Sequence, residues 1–316
     1  MKPEVFIRVD GSPQIGMGHL VRCFALAQML KDDFEIIFFF KAIPETSFLE
    51  LENSGFSCIQ IENEEDFLEH LTCNTIALLD GYHFDTDFQK RVKAKGAKLV
   101  CIDDLHDKEF VADLIINHTP GISPHDYKAT PYTQFALGLD YALLRPAFLE
   151  QAKKQRTNER NENVLICFGG SDPENQTLKI LKELTQIQWI INIHVVIGNL
   201  YQEKKSLEKY INSLNDLNVF IHHSISADEF VEVMKKCQVG ITAASVISLE
   251  CLAIQIKLFV ALLSDNQKYL YEGLINENYA SKIEDFFNTN ITHFNTGKQI
   301  IDGYSRDRLI VKFKSL

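Results

Sequence analysis

Residues 5–30, VFIRVDGSPQIGMGHLVRCFALAQML, decide the fold. Val5 to Val9 is a short apolar run that reads as a strand, and Gly18 to Leu30 is a longer amphipathic run that reads as a helix. Between them Gly11, Gly16 and Gly18 permit a tight path and a close backbone approach to a ligand. A strand feeding a helix through a glycine loop opens a parallel α/β domain. The runs that follow fit one: Phe34 to Phe40, Ile76 to Asp80 and Lys98 to Asp103 read as further strands. Ile36-Ile37-Phe38-Phe39-Phe40 and Ala77-Leu78-Leu79 are apolar without alternation, as expected of strands covered by helices on both faces.

At 316 residues the chain exceeds the size at which one core keeps growing, so two domains of roughly 150 residues are expected. The boundary falls near residue 151. Thirteen residues from Gln151 to Asn163 include a single apolar one, which predicts an interdomain linker or a solvated helix beside it. A second α/β series follows, with strands expected at Val164 to Phe168, Ile191 to Ile197, Val219 to Ile221, Val239 to Ile241 and Leu258 to Ala261. The expected organisation is a domain over 1–150 and a second over 151–316, the last helix being free to pack back on the first domain. Two such domains facing each other across a cleft would carry their sites beyond the carboxyl ends of the strands.

Composition narrows the function. Hydrophobic residues make up 46% and charged residues 24%, ordinary for a globular protein, and the formal net charge of -11 argues against a nucleic-acid partner. No apolar run reaches the ~18 residues of a membrane span, and the chain enters a strand within a few residues of its start, so no membrane partner and a cytoplasmic location are expected. Seven cysteines form no CxxC pair and read as reduced core residues; Cys23, one turn after His19, reads the same way. The histidines other than His19 lack metal-ligand spacing, including His222-His223, so no metal is expected. The glycine spacing is not a dinucleotide fingerprint: Asp32 and Asp33 fall at a turn only about fourteen residues on, and no nicotinamide cofactor is expected.

His19 opens the first helix at the end of the first strand, where it would either take a proton from a water or hydroxyl or serve as a capping residue. Asp80 and the pair Asp103-Asp104 stand at strand ends, where they would orient a histidine, bind sugar hydroxyls or cap the next helix. Tyr82 follows Asp80 at the same rim. In the second domain Gly169, Gly170 and Ser171 join a strand to the helix containing Asn175 to Leu184. Thr242-Ala-Ala-Ser245 opens another helix, with Glu250 on its second turn. Each turn suits either an anion at a helix N-terminus or a plain capping turn.

The pattern Arg-Val-Asp-x-Ser-x-x-Ile-Gly-x-Gly-His-x-x-Arg from Arg8 to Arg22 carries a resemblance that runs along nearly the whole chain. With it go Gly138-Leu-Asp-Tyr-Ala-Leu-Leu-Arg145, Cys167-Phe-Gly-Gly-Ser-Asp172, Ser264-Asp-Asn-Gln267 and Asp302-Gly303. Together these motifs resemble the UDP-sugar hydrolases of pseudaminic acid biosynthesis, themselves similar to the GT-B glycosyltransferases. The resemblance implies an α/β, GT-B-like fold without a metal; no cofactor and a monomer are expected. It implies hydrolysis of UDP-2,4-diacetamido-2,4,6-trideoxy-β-L-altropyranose at the anomeric carbon with inversion. It places His19, Asp10 and Tyr82 in catalysis, and Gly16 and Gly18 of the glycine loop, Glu250 through the ribose, Asn266 and Gln267 in substrate binding. Arg22 and the second-domain turns at Gly169, Gly170, Ser171, Ala244 and Ser245 are expected to bind substrate beside them. Two other readings use the same residues: a GT-B transferase that delivers a UDP-amino sugar to an acceptor, and a nucleotide-sugar binder without turnover.

Overall fold

The computed structural model describes residues 2–12, 16–156, 163–214, 217–288 and 299–316. Pro13, Gln14 and Ile15 of the glycine loop, residues 157–162 of the expected linker and His293 lie outside the described residues. The chain forms two compact units, Met1–Pro146 with Tyr304–Leu316, and Ala147–Gly303.

The first unit alternates strand and helix: β1 (Glu4–Val9), α1 (Gly18–Leu30), β2 (Glu35–Phe40), α2 (Glu45–Asn53), β3 (Ser57–Gln60), α3 (Glu64–His70), β4 (Thr75–Asp80), α4 (Thr86–Ala94) and β5 (Lys98–Ile102). Shorter strands follow, β6 (Glu109–Phe110), β7 (Leu114–Asn117), β8 (Lys128–Ala129) and β9 (Gln134–Leu137). The main sheet is parallel, in the order β3-β2-β1-β4-β5-β7-β9. β1 and β4 pair from Glu4 with Thr75 to Val9 with Asp80. Val5, Ile7 and Val9 on one face of β1 and Phe6 and Arg8 on the other are all buried, which is why the run does not alternate.

In the second unit α5 (Pro146–Ala152) leads to β10 (Asn163–Cys167), α6 (Gln176–Leu184), β11 (Asn192–Ile197), α7 (Lys204–Ile211), β12 (Asn218–His223), α8 (Ala227–Lys235) and β13 (Val239–Ala243). Then come α9 (Val246–Ala253), β14 (Lys257–Ala261), α10 (Lys268–Asn276), β15 (Ser281–Lys282) and α11 (Ile283–Asn288). This sheet is parallel too, in the order β12-β11-β10-β13-β14-β15. Arg156, just before the undescribed stretch, donates to the carbonyls of Cys237 and Ile254 beyond the ends of α8 and α9. The chain there is tied to the second unit.

The last helix, α12 (Ser305–Lys314), belongs to the first unit. Leu309 and Phe313 are buried in it, the Phe313 ring meets Phe34 edge-on, and Arg306 and Lys314 pair with Asp32 and Asp33. Two buried apolar side chains contribute roughly 1.5–3 kcal/mol each, against about 0–1 kcal/mol for an exposed ion pair. Apolar packing therefore holds α12 in place.

In both sheets the chain winds outward from the middle in one direction and then returns to wind in the other. The reversal leaves a crevice beyond the carboxyl ends of β1 and β4 in the first unit, and of β10 and β13 in the second.

Candidate active site

Beyond β1 and β4 the structure brings five polar side chains into one network, buried at Asp80, Arg22 and His19. Asp80 is the last residue of β4, opposite Val9 in the register, and is 1% exposed. His19 stands in the first turn of α1, its Nδ1 2.6 Å from Asp80 Oδ1. Arg22 lies three residues later on the same helix, so its side chain shares His19's face. Arg22 Nε donates to Asp80 Oδ2 and its Nη2 to Asp80 Oδ1, both at 2.7 Å, a bidentate fork. Cys23 Sγ adds a longer bond of 3.3 Å to Asp80 Oδ2. Burial alone would raise the Asp80 pKa, but the charges and hydrogen bonds of Arg22 and His19 outweigh it and hold the carboxyl well below the usual range.

The network continues outward. Arg22 Nη1 donates to Asp104 Oδ1 at 2.6 Å, and the Tyr82 hydroxyl donates to Asp104 Oδ2 at 3.0 Å. The Tyr82 ring, 37% exposed, meets the His19 imidazole edge-on with centroids 4.7 Å apart. Asp80 carries no proton, so the short contact makes His19 Nδ1 the donor. Nδ1 cannot then also accept from Arg22 Nη2, although that atom is only 3.0 Å away. Fixing the proton on Nδ1 leaves the Nε2 lone pair as the basic end of the ring. Cys23 is no nucleophile here: burial pushes its thiol pKa far up.

Asp10 has its own set of partners. Asp10 accepts from Arg8 Nη2 at 2.7 Å and from the backbone N–H groups of Lys41 and Ala42, and so ties the end of β1 to the turn after β2. Arg8, fully buried, also forks onto Glu64 in the first turn of α3, and Lys41 Nζ lies 2.9 Å from the same carboxylate. Glu64 had no signal in the sequence, because it follows the short β3. This geometry has Asp10 holding the loop. Arg22 is 5% exposed, with its guanidinium bonded to Asp80 and Asp104. Gly16, at φ 89°, and Gly18 have open space where a Cβ would stand, which leaves their backbone approachable.

At the second unit's crevice the two expected anion sites differ. Gly169 has φ 89°, and the chain after Ser171 puts Asp172 at the start of α6, where its carboxylate accepts from the N–H groups of Gln176 and Thr177, both at 2.8 Å. A side-chain anion already closes that helix end. The N-terminus of α9 carries no such plug: Ser245 at its cap makes no side-chain capping bond, and the first turn holds no acidic residue. Ala244 is buried beneath it, its N–H bonded to Ala261, and Glu250 is withdrawn from solvent along α9. Asn266 and Gln267 lie on a single helical turn beyond β14, and Gln267 Oε1 accepts from the Leu263 N–H. Gly198 must be glycine: a Cβ there would stand 2.6 Å from the Gly170 carbonyl oxygen.

Among the described residues no group of three or more His, Cys, Asp or Glu side chains could hold a metal ion, and no helix is long and apolar enough to cross a membrane.

Two Rossmann-like domains with parallel sheets define a GT-B type of fold. The solved structure of MurG from Acinetobacter baumannii shares it over the full length of both chains, with a TM-score of 0.64 at 10% identity. Among sequence relatives, the chain is 29% identical to the uncharacterised protein MJ1062 of Methanocaldococcus jannaschii over 98% of its own length, and spans 64% of that protein. It is 27% identical to the UDP-2,4-diacetamido-2,4,6-trideoxy-β-L-altropyranose hydrolase of Campylobacter jejuni, over 87% of this chain and 97% of that one. No family model matches the chain.

Proposed function

We propose that the chain is an enzyme that hydrolyses a UDP-sugar, and that its substrate is UDP-2,4-diacetamido-2,4,6-trideoxy-β-L-altropyranose. The observation that carries the reaction class is the bond from His19 Nδ1 to the buried Asp80 carboxylate at the ends of β1 and β4. It fixes one ring nitrogen as a donor and leaves the other to take a proton. The name of the Campylobacter relative, which this chain matches over nearly all of that protein, supports the choice of sugar.

In this reading Nε2 of His19 removes a proton from water as its oxygen attacks the anomeric carbon. The bond from that carbon to the diphosphate oxygen breaks, UDP leaves with the electron pair, and the free sugar forms with inverted configuration. UDP is a good leaving group, so one base and donors for the diphosphate suffice, without a nucleophilic side chain. The N-terminus of α9, without a side-chain cap or an acidic residue in its first turn, fits the diphosphate, because first-turn N–H groups and the helix dipole favour an anion.

The test is incubation of the purified chain with a panel of UDP-diacetamido-trideoxyhexoses, following UDP release and the anomeric proton by NMR. The expected outcome is UDP release from the L-altro compound, with His19→Ala slower by about 10²–10⁴-fold, the usual contribution of a general base. Release from none of the panel, or wild-type rates in His19→Ala, would overturn the reading. Faster transfer of the sugar to an added acceptor than to water would replace hydrolysis with glycosyl transfer.

A further inference from the structure

Asp80 is shared between His19 and Arg22, and that sharing has a chemical consequence. A buried carboxylate bonded to an imidazole stabilises the imidazolium and so holds a proton on the base. Here the same carboxylate also takes both arms of a guanidinium fork, and Nη2 of that guanidinium stands 3.0 Å from the His19 nitrogen itself. The charged and titratable groups around His19 come from several elements. Asp80 ends β4, Arg22 and Cys23 stand on α1, Tyr82 follows β4 and Asp104 follows β5. His118, beyond β7, is buried and interacts electrostatically with Arg22, Asp104 and Asp80, as does the buried Cys101 of β5 with Asp80. Burial pushes the His118 pKa down to about 4, so His118 is neutral near pH 7, and the buried thiols are protonated. With His19 neutral the network then holds two carboxylates and one guanidinium, a net charge of -1; without Arg22 it would hold -2.

We infer that Arg22 is a positioning residue that tunes the basicity of His19: by neutralising Asp80 it lets the carboxylate fix the imidazole's tautomer without trapping the imidazolium. The assignment of His19 as base rests on the hydrolase reading, but the electrostatic coupling does not. Arg22 touches no substrate in this account. It acts through Asp80, and Asp104 anchors its far arm while holding Tyr82 against the imidazole edge.

The experiment is an NMR titration of the His19 ring Cε1–H in the full chain without substrate, in wild type, Arg22→Gln, Arg22→Lys, Asp80→Asn and the double variant Asp80→Asn/Arg22→Gln. The expected result is an upward shift of the His19 titration by more than one pH unit in Arg22→Gln, a downward shift in Asp80→Asn, and a return toward wild type in the double variant. Arg22→Lys keeps the charge and stays within about half a unit of wild type, scaling from the tenfold change per pH unit. Should Arg22→Gln fail to fold because it strands a buried carboxylate, the lysine and double variants still decide. A His19 titration unmoved in Arg22→Gln, or a double variant that titrates like Asp80→Asn alone, overturns the inference.

Turnover separates this from the hydrolase reading. The acid limb of kcat/KM in Arg22→Gln is expected to move with the NMR titration, with KM within about threefold of wild type. A raised KM with an unmoved limb would return Arg22 to substrate binding and overturn its positioning role. Titration shifts as expected with no UDP release from any substrate would leave the coupling standing and remove the hydrolase reading instead.

Discussion

The crevice beyond β1 and β4 and the crevice beyond β10 and β13 arise from the same strand order, yet they are furnished in opposite ways. The first is filled with charged and polar side chains that satisfy one another: Asp80, Arg22, Asp104 and His19, with Tyr82 at the exposed edge. The second is lined with glycine, alanine and serine and ends in the open N-terminus of α9. Small residues let a ligand approach the backbone, and backbone N–H groups bind an anion without a charged side chain. A preformed charge network holds a single side chain in one protonation state and orientation. The same topology thus carries a dense charge network in one unit and an uncapped helix end among small residues in the other.

Cutting the link between the network and its base breaks the comparison most sharply. Asp80→Asn leaves Arg22 without its fork and lets the imidazole adopt either tautomer, so kcat is expected to fall by about 10²–10⁴-fold while KM changes little. Steady-state kinetics on the UDP-sugar check this. A fall in kcat below tenfold would mean that the dense network of the first unit is structural, and the contrast between the units would lose its chemical meaning.

The acid sensitivity of the network is the next largest effect. His118, buried behind Arg22 and Asp104, accepts from the Leu143 N–H through Nδ1 and stays neutral in the folded chain down to about pH 4, against 6.5 as its ordinary value. The unfolded chain binds this proton first. The stability that His118 contributes as a neutral group is therefore complete above about pH 6.5 and is lost as the pH falls toward 4, by up to roughly 3 kcal/mol at 1.36 kcal/mol per unit. His118→Asn is expected to flatten the dependence of the urea midpoint on pH over that interval. An equally steep dependence in the variant would place the acid-sensitive group elsewhere.

The sequence made the fold legible wherever strands are long and fully buried. β1, β2, β4 and β5 lie on the apolar runs that predict them, as do the five strands from β10 to β14. β3, β7 and β9 have only four residues each and are not among the expected strands, so the sheet of the first unit is three strands wider than the sequence suggests. At the site, position was legible and partnership was not. His19, Asp80, Tyr82 and Asp104 are found at strand ends from the sequence alone, because loops there follow apolar runs. The role of Arg22 depends on Asp80, 58 residues away, and that of Asp10 on Arg8 and the turn at Lys41. A glycine-rich turn followed by a helix likewise looks the same in sequence whether its N-terminus is open, as in α9, or closed by the carboxylate of Asp172, as in α6.

That last distinction carries the smallest expected effect and the most direct test of the second crevice. Ser245→Asp would give α9 the same plug that Asp172 gives α6, a carboxylate accepting from the first-turn N–H groups. A negative charge at that end would repel the diphosphate and occupy its donors. Each such contact is worth up to ~2 kcal/mol, so UDP affinity by calorimetry is expected to fall by roughly tenfold. The protein itself should gain slightly in stability, since a capped helix replaces an open one. Asp172→Asn at α6 keeps one amide oxygen to cap where two carboxylate oxygens accepted, so the helix is expected to lose about 1 kcal/mol while UDP affinity stays within about twofold. If instead Asp172→Asn tightens UDP binding while Ser245→Asp leaves it unchanged, the diphosphate belongs at α6 with Asp172 as its competitor, and the two helix ends exchange roles.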